Sequence, residues 1–130
     1  MLRPLVLLAA VAALAGCGSN GPSDEERVAS TVTAFGRATA AKDYPALCKQ
    51  ILAPALISKV EEVGLPCEQA MRKALGTVRD PRLSIGQVTV RGDTATAEVR
   101  TSAAGQQPSR DTLQLQRVRG AWRIASLGAG

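Results

Sequence analysis

Hydrophobic positions divide this chain into three stretches. Leu5 to Leu14 is an unbroken apolar run, the spacing is helical from Ser23 to Leu75, and it alternates from Arg82 onward. In the helical stretch, Ser23 and Glu26 fit a capping box, and Asp24, Glu25 and Glu26 place negative charge where the helix dipole favours it. Val28, Val32, Phe35 and Thr39 then define one face. Lys42 lies past the last turn, and Asp43 is placed to cap a second helix that tolerates Pro45 in its first turn. That helix is expected to bury Leu47, Cys48, Ile51 and Leu52. Pro54 opens a third segment with Leu56, Ile57, Val60 and Val63 inward, stopping at Gly64. Leu65-Pro66 turns the chain. Cys67 to Leu75 reads as a fourth helix with Ala70, Met71, Ala74 and Leu75 inward, ended by Gly76.

From Arg82 the period becomes two. Leu83, Ile85, Val88 and Val90 mark a strand in which Gly86 or Gln87 shifts the alternation, as a bulge does. Gly92-Asp93 turns into a second strand with Ala95, Ala97 and Val99 inward and Thr94, Thr96, Glu98 and Arg100 outward. Ala104 to Arg110 is polar and turn-rich, a loop. Thr112 to Val118 alternates with Leu113 and Leu115 inward and Gln114 and Gln116 outward. Arg119-Gly120 turns into a last strand where Trp122 and Ile124 share a face. Helices followed by an antiparallel meander make an α+β domain.

The N-terminal run is about half the length that spans a bilayer. Arg3 precedes it and small residues follow, the layout of a signal peptide over residues 1–16. Leu14-Ala15-Gly16-Cys17 matches the bacterial lipobox at all four positions. The resemblance implies a diacylglyceryl group on the Cys17 thiol, cleavage before Cys17 and further acylation of the new amine. Two or more chains anchor a protein durably. The expectation is therefore a lipoprotein of the bacterial cell membrane, held on its extracytoplasmic face, with residues 17–22 as lipidated cysteine and tether and residues 23–130 as one domain.

Export changes how the other cysteines read. Cys48 and Cys67 remain as an even pair in an oxidising compartment, which points to a disulfide, with two buried thiols as the alternative. Two thiolates without histidine leave zinc under-coordinated, so no metal is expected. The chain has no histidine at all, which excludes a Ser-His-Asp triad and removes the side chain that titrates nearest neutrality. P-loop, dinucleotide and nucleophile-elbow motifs are absent, and no cofactor is implied. Formal charge is +5, but the arginines are scattered and the only aromatics are Phe35, Tyr44 and Trp122, so no nucleic-acid platform exists. The basic charge reads either as weak attraction to anionic headgroups and wall polymers or as a solvated surface.

Several short motifs carry a family likeness. They are Ala41-Lys42-Asp43-Tyr44, Pro54-Ala55-Leu56, Cys67-Glu68 with Ala70, Val90-x-Gly92-Asp93-x-Ala95-x-Ala97, and Gly120-x-Trp122-Arg123-Ile124. In this order the chain resembles the NTF2-like (SnoaL-like) superfamily, and in particular its small actinobacterial envelope lipoproteins. The resemblance implies helices packed on a curved antiparallel sheet, forming a cone with a cavity. Candidate cavity-lining residues are Phe35, Tyr44, Met71, Leu113 and Trp122, with Trp122 either stacking on an apolar ligand or plugging the core.

Enzymes of the superfamily line that cavity with Asp, Tyr, His or Arg. Here Asp43 sits at a helix cap, Asp93 in a hairpin turn, and Glu61-Glu62 on a helix surface, so no carboxylate pair can be argued onto one wall. The expected function is a non-catalytic binding or interaction module in the envelope. Its partners would be membrane lipid through Cys17 and an envelope protein or small apolar ligand. The alternative is a small-molecule enzyme of the dehydratase or isomerase kind using Asp43 or Tyr44. The polar outward strand positions predict a monomer or weak dimer.

Overall fold

The structure is a computed structural model and describes residues 21–128. The expected signal peptide 1–16, Cys17 and residues 18–20 of the tether lie outside the described residues. Among the described residues no helix is long and apolar enough to cross a membrane.

Helix α1 (Asp24–Ala41) starts where Ser23 Oγ accepts the Glu26 N–H at 3.1 Å. It ends at Lys42, whose φ of 56° is left-handed; the Lys42 and Asp43 N–H groups return to the Thr39 and Ala38 carbonyls. Glycine usually takes this position. Lys42 instead donates from Nζ to the Gly76 carbonyl at 2.7 Å, tying the end of α1 to the end of the last helix. Asp43 Oδ1 accepts the Ala46 N–H at 3.1 Å and opens α2 (Tyr44–Ala46).

The second helix is not the regular one that the spacing suggests. After Ala46 the chain widens into a π-helical turn over Leu47–Ile51, closed by the Leu52 N–H on the Leu47 carbonyl at 2.9 Å. Leu47, Ile51 and Leu52 are then 0, 5 and 0% exposed, all inside. A regular α-helix turns about 140° between the first and last of these and would pull Leu52 off the face. Helix α3 (Pro54–Glu61) follows, and α4 (Cys67–Leu75) has its expected bounds, with Glu61 Oε1 accepting the Cys67 N–H at 3.3 Å. Two inward assignments are corrected. Val63 lies beyond the end of α3 and is 74% exposed, and Ala74 faces solvent on α4.

Four strands, β1 (Arg82–Arg91), β2 (Thr94–Ser102), β3 (Ser109–Val118) and β4 (Ala121–Ser126), form one antiparallel sheet in chain order. The β1–β2 register shifts between Ile85 and Val88, at the Gly86-Gln87 position read from the alternation. A second shift, between Gln114 and Leu115 on β3, places Ala125 as an extra residue in β4 and has no warning in the residue pattern. Residues 109 and 110, expected in the loop, belong to β3. The helices cover one face of the curved sheet, where Ala95, Ala97, Val99, Leu113, Leu115, Trp122 and Ile124 are buried. On the other face Thr94, Thr96, Glu98, Arg100 and Gln114 are exposed as expected, while Gln116 is half-buried.

The core joins that inner face to Val28, Val32, Leu47, Leu52, Leu56 and Met71. Ala95 and Ala97 stand opposite Leu115 and Leu113, so small and large side chains alternate across the strands. A parallel bridge from Leu52 to Ile124, with the Ala53 N–H donating to the Ile124 carbonyl at 2.7 Å, fastens the helical layer to the edge strand.

Cys48 and Cys67 are joined, their Cα atoms 6.0 Å apart, so the π-turn is tied to the start of α4. Nineteen residues separate the two in sequence, and closing a loop of that length stabilises a domain by about 3 kcal/mol in the chain-entropy model. We predict that reduction, or the Cys48→Ala/Cys67→Ala variant, lowers the melting temperature by roughly 10 °C or more. Thermal denaturation with and without reductant tests this, and an unchanged melting temperature would show that the bond adds nothing.

Candidate functional site

The space in which a cone-shaped fold holds its ligand is mostly filled by side chains here. Of the five residues expected to line a cavity, Tyr44, Met71, Leu113 and Trp122 are 5, 7, 3 and 5% exposed and belong to one continuous hydrophobic cluster. They are core residues, and none of the four lines the three hollows described below. The cause is the inner face itself. Its small β2 side chains let the helices settle onto the sheet, and larger groups close the remaining space.

Phe35 alone of the five reaches an opening. Toward the C-terminal half of α1, a cleft of about 230 Å³ lies between that helix, the end of α4 and the far end of the sheet. Phe35, Leu75, Val78 and Leu83 make it apolar, and Thr101 and Ser109 stand at its polar side. Gly36 lets α1 pass close to β1: a Cβ there would sit 3.4 Å from Leu83 Cβ. The Thr101 and Ser109 hydroxyls lie 2.9 Å apart, and Ser109 Oγ donates to Asp111 Oδ2 at 3.1 Å. This chain of oxygens is the one polar network beside the cleft. The volume lies below the roughly 300 Å³ at which drug-sized pockets begin, so the cleft admits a small group.

Two larger hollows, of about 650 and 580 Å³, lie on the helix-free face of the sheet. Both are open to water; the first is the more polar, and the second mixes Thr and Gln side chains with Ala95, Leu115 and Ala125. They cannot exclude solvent from a reacting group, but they can hold a hydrogen-bonding one.

The residues set aside for acid/base chemistry have structural partners. Asp43 caps α2. Tyr44 is buried, with the Arg72 guanidinium 5.5 Å above its ring. Among the described residues no three His, Cys, Asp or Glu side chains gather to hold a metal ion.

The one clear electrostatic constellation lies at the opposite end of the domain from the cleft. Arg117 is the cross-strand partner of Trp122 and lies over its ring at 4.8 Å. Its Nη2 donates to Asp24 Oδ2 at 2.8 Å, and Trp122 Nε1 donates to Asp24 Oδ1 at 3.4 Å. Asp93 Oδ1 approaches Arg117 Nε at 3.5 Å. The Arg117 hydrogen bond, helped by Trp122, holds the Asp24 carboxyl below its ordinary value of 3.8, against a smaller effect of burial. The cluster latches the start of α1 to the β3–β4 hairpin. It was legible in part: residues 113, 115 and 117 share a strand face, so alternation already turned Arg117 inward.

Residues 23–127 match the model of a family described as "Putative lumazine-binding". No curated protein matches the chain. Among solved structures it is similar to an NTF-2 like protein of unknown function from Silicibacter pomeroyi. That likeness has 23% identity, covers 78% of this chain and 89% of that one, and has a TM-score of 0.55. A "putative dehydratase" from the NTF2-like family of Streptomyces avermitilis is similar at 15% identity, over 76% of this chain and 89% of its own, with a TM-score of 0.53. A de novo designed NTF2 fold protein is similar at 16% identity, over 82% and 87%, with a TM-score of 0.54. At these identities the likenesses establish the fold alone.

Asp24 makes the latch sensitive to acid. Its folded pKa is depressed, so its contribution to stability is present above the unfolded value and is lost as pH falls through the folded one. We predict that urea stability, followed by fluorescence of the single tryptophan, falls as the pH drops below about 4, the ordinary aspartate value. Asp24→Asn should flatten that limb and weaken the domain at neutral pH. Parallel pH curves for the two proteins would exclude the latch.

Proposed function

The chain belongs to the family described as "Putative lumazine-binding", an NTF2-like fold, and from that premise we propose that it is a non-catalytic binding module anchored in the bacterial envelope. The observation that carries the reading is the filled interior. Tyr44, Met71, Leu113 and Trp122 occupy the space where a reacting substrate would need acid and base groups, and Asp43 and Tyr44 are engaged in capping and packing. Binding is left to the apolar cleft beside Phe35, which suits a short aliphatic or flat aromatic group. The family description names lumazine, and Phe35, whose ring offers a stacking face, is the feature that favours a flat heterocycle as the second reading.

Anchoring rests on the lipobox Leu14-Ala15-Gly16-Cys17 after an apolar run too short to span a bilayer. Cys17→Ala should leave an uncleaved precursor that no longer takes up a radiolabelled fatty acid. Processing and labelling of the variant as in the wild type would rule the anchor out.

The cleft is tested with two fluorescent probes, a medium-chain fatty acid and lumazine. One of them should bind the mature protein saturably, and Phe35→Ala should weaken it by about tenfold, the order expected from losing a buried aromatic contact. Equal binding by Phe35→Ala, or binding of neither probe, would remove the cleft as the site.

A further inference from the structure

We propose that the helix-free face of the sheet carries a phosphate-binding site whose two principal ligands are Arg100 and Arg110. The register of β2 and β3 places these residues directly opposite each other, and Ser84 on β1 faces Arg100 from the other side. All three side chains are exposed. Directly opposed residues on antiparallel strands stand about 5 Å apart at Cβ, and like charges in that arrangement repel. The ion pairs among the described residues are Lys49 with Glu68 and Arg117 with Asp24 and Asp93, so neither Arg100 nor Arg110 has a carboxylate in direct contact, and Glu98 on the same face offsets only part of their charge. An anion held between the two guanidinium groups would relieve the remaining repulsion.

The surface around the pair has the shape for this. The hollow of about 650 Å³ is lined by Ser84, Gly86, Glu98, Arg100, Arg110 and Thr112 together with their strand backbones. Gly86 lies at the β1 bulge, and the Glu98 side chain packs over it: a Cβ there would lie 3.5 Å from Glu98 Cβ and 3.6 Å from Glu98 Oε2. One planar guanidinium fork saturates the two oxygens of a carboxylate. A tetrahedral phosphate has oxygens for two forks at once, with Ser84 and Thr112 hydroxyls left to donate to the remainder. Two acids line the hollow: Asp111 is in the opposite strand phase and accepts from Ser109 Oγ, while Glu98 shares the phase of the arginines and repels a second anionic group. The site therefore takes one phosphate group in preference to a pyrophosphate.

The experiment uses the full mature protein in non-ionic detergent, titrated with inorganic phosphate at constant ionic strength set by chloride. The side-chain Nε–H signals of Arg100 and Arg110 are followed by NMR, with Arg91 on the same face as the control. Saturable shifts confined to Arg100 and Arg110 are expected. Arg100→Gln and Arg110→Gln should each weaken phosphate binding by about tenfold or more. Without phosphate each variant should melt at or above the wild-type temperature, because the opposed charges are gone. Pyrophosphate should bind no more tightly than phosphate. Shifts that do not saturate, that Arg91 shares equally, or that survive both substitutions would overturn the proposal. Competition separates the sources of the group: displacement by phosphatidylglycerol added to the detergent micelles identifies a lipid headgroup, and displacement by glycerol phosphate but not by the micellar lipid identifies a soluble phosphate ester. The site does not depend on the anchor, so an unlipidated Cys17 leaves this result unaffected.

Discussion

The close approach of the helical layer to an inner sheet face built from alanine, valine and leucine governs the rest of this domain. With one Phe, one Tyr and one Trp in the chain, large aromatic surfaces cannot supply the core. Burial then depends on bringing small side chains into dense contact, since dispersion falls away over less than an ångström of separation. Ala95 and Ala97 make that approach possible on β2, and the π-turn gathers Leu47, Ile51 and Leu52 onto one side to meet it. Discrete ties hold the layers in register where area alone gives a thin margin. The Cys48–Cys67 bond acts within the helical layer. The Ala53–Ile124 hydrogen bond and the Asp24–Arg117 pair fasten that layer to the sheet.

Dense closure has a chemical consequence. No polar or charged residue is buried as a whole among the described residues, although the Nε atoms of Arg117 and Arg123 are covered. Open hollows remain where closure ends. One is the cleft beyond Leu75 and Leu83, where α1 runs past the covered part of the sheet. Another is the helix-free face, whose hydroxyl, amide and guanidinium groups keep their donors available. The Asp24–Arg117–Trp122 cluster is of a different kind, since both Asp24 carboxylate oxygens accept from within it.

How much of this the residues announce depends on the range of the interaction. Local signals are clear. The Ser23 and Asp43 caps, the bounds of α4, the Gly86 bulge and the strand faces all follow from contacts within a few residues. Features that depend on partners far along the chain are hidden. The π-turn forms because three apolar residues must meet a sheet that begins thirty residues later, and the β4 bulge is settled by the pairing with β3. For the site, cone-shaped relatives suggested an open cavity, and the five aromatic and aliphatic candidates were reasonable wall residues. Whether such side chains line a space or fill it depends on how closely the layers approach, which no single position encodes. Arg117 is the intermediate case: its strand phase pointed inward, but its acceptor Asp24 lies 93 residues away in sequence.

The placement of the ends gives the proposed anchor a directional meaning. Ser23 begins α1 beside the β3–β4 hairpin, and Phe35 lies twelve residues further along the same helix. At 1.5 Å per residue that is about 18 Å, or most of the length of the domain core. A lipid on Cys17 would hold the latched end, with Trp122 and Arg117, near the bilayer and present the cleft away from it. Acidic Asp24, Glu25 and Glu26 cluster at the same end as Arg27, Arg91, Arg117 and Arg119, so their charges offset and leave little net attraction to an anionic surface. The cleft and the Arg100–Arg110 pair both lie toward the other end of the strands, so an anchor at Cys17 as proposed would leave both facing the aqueous side.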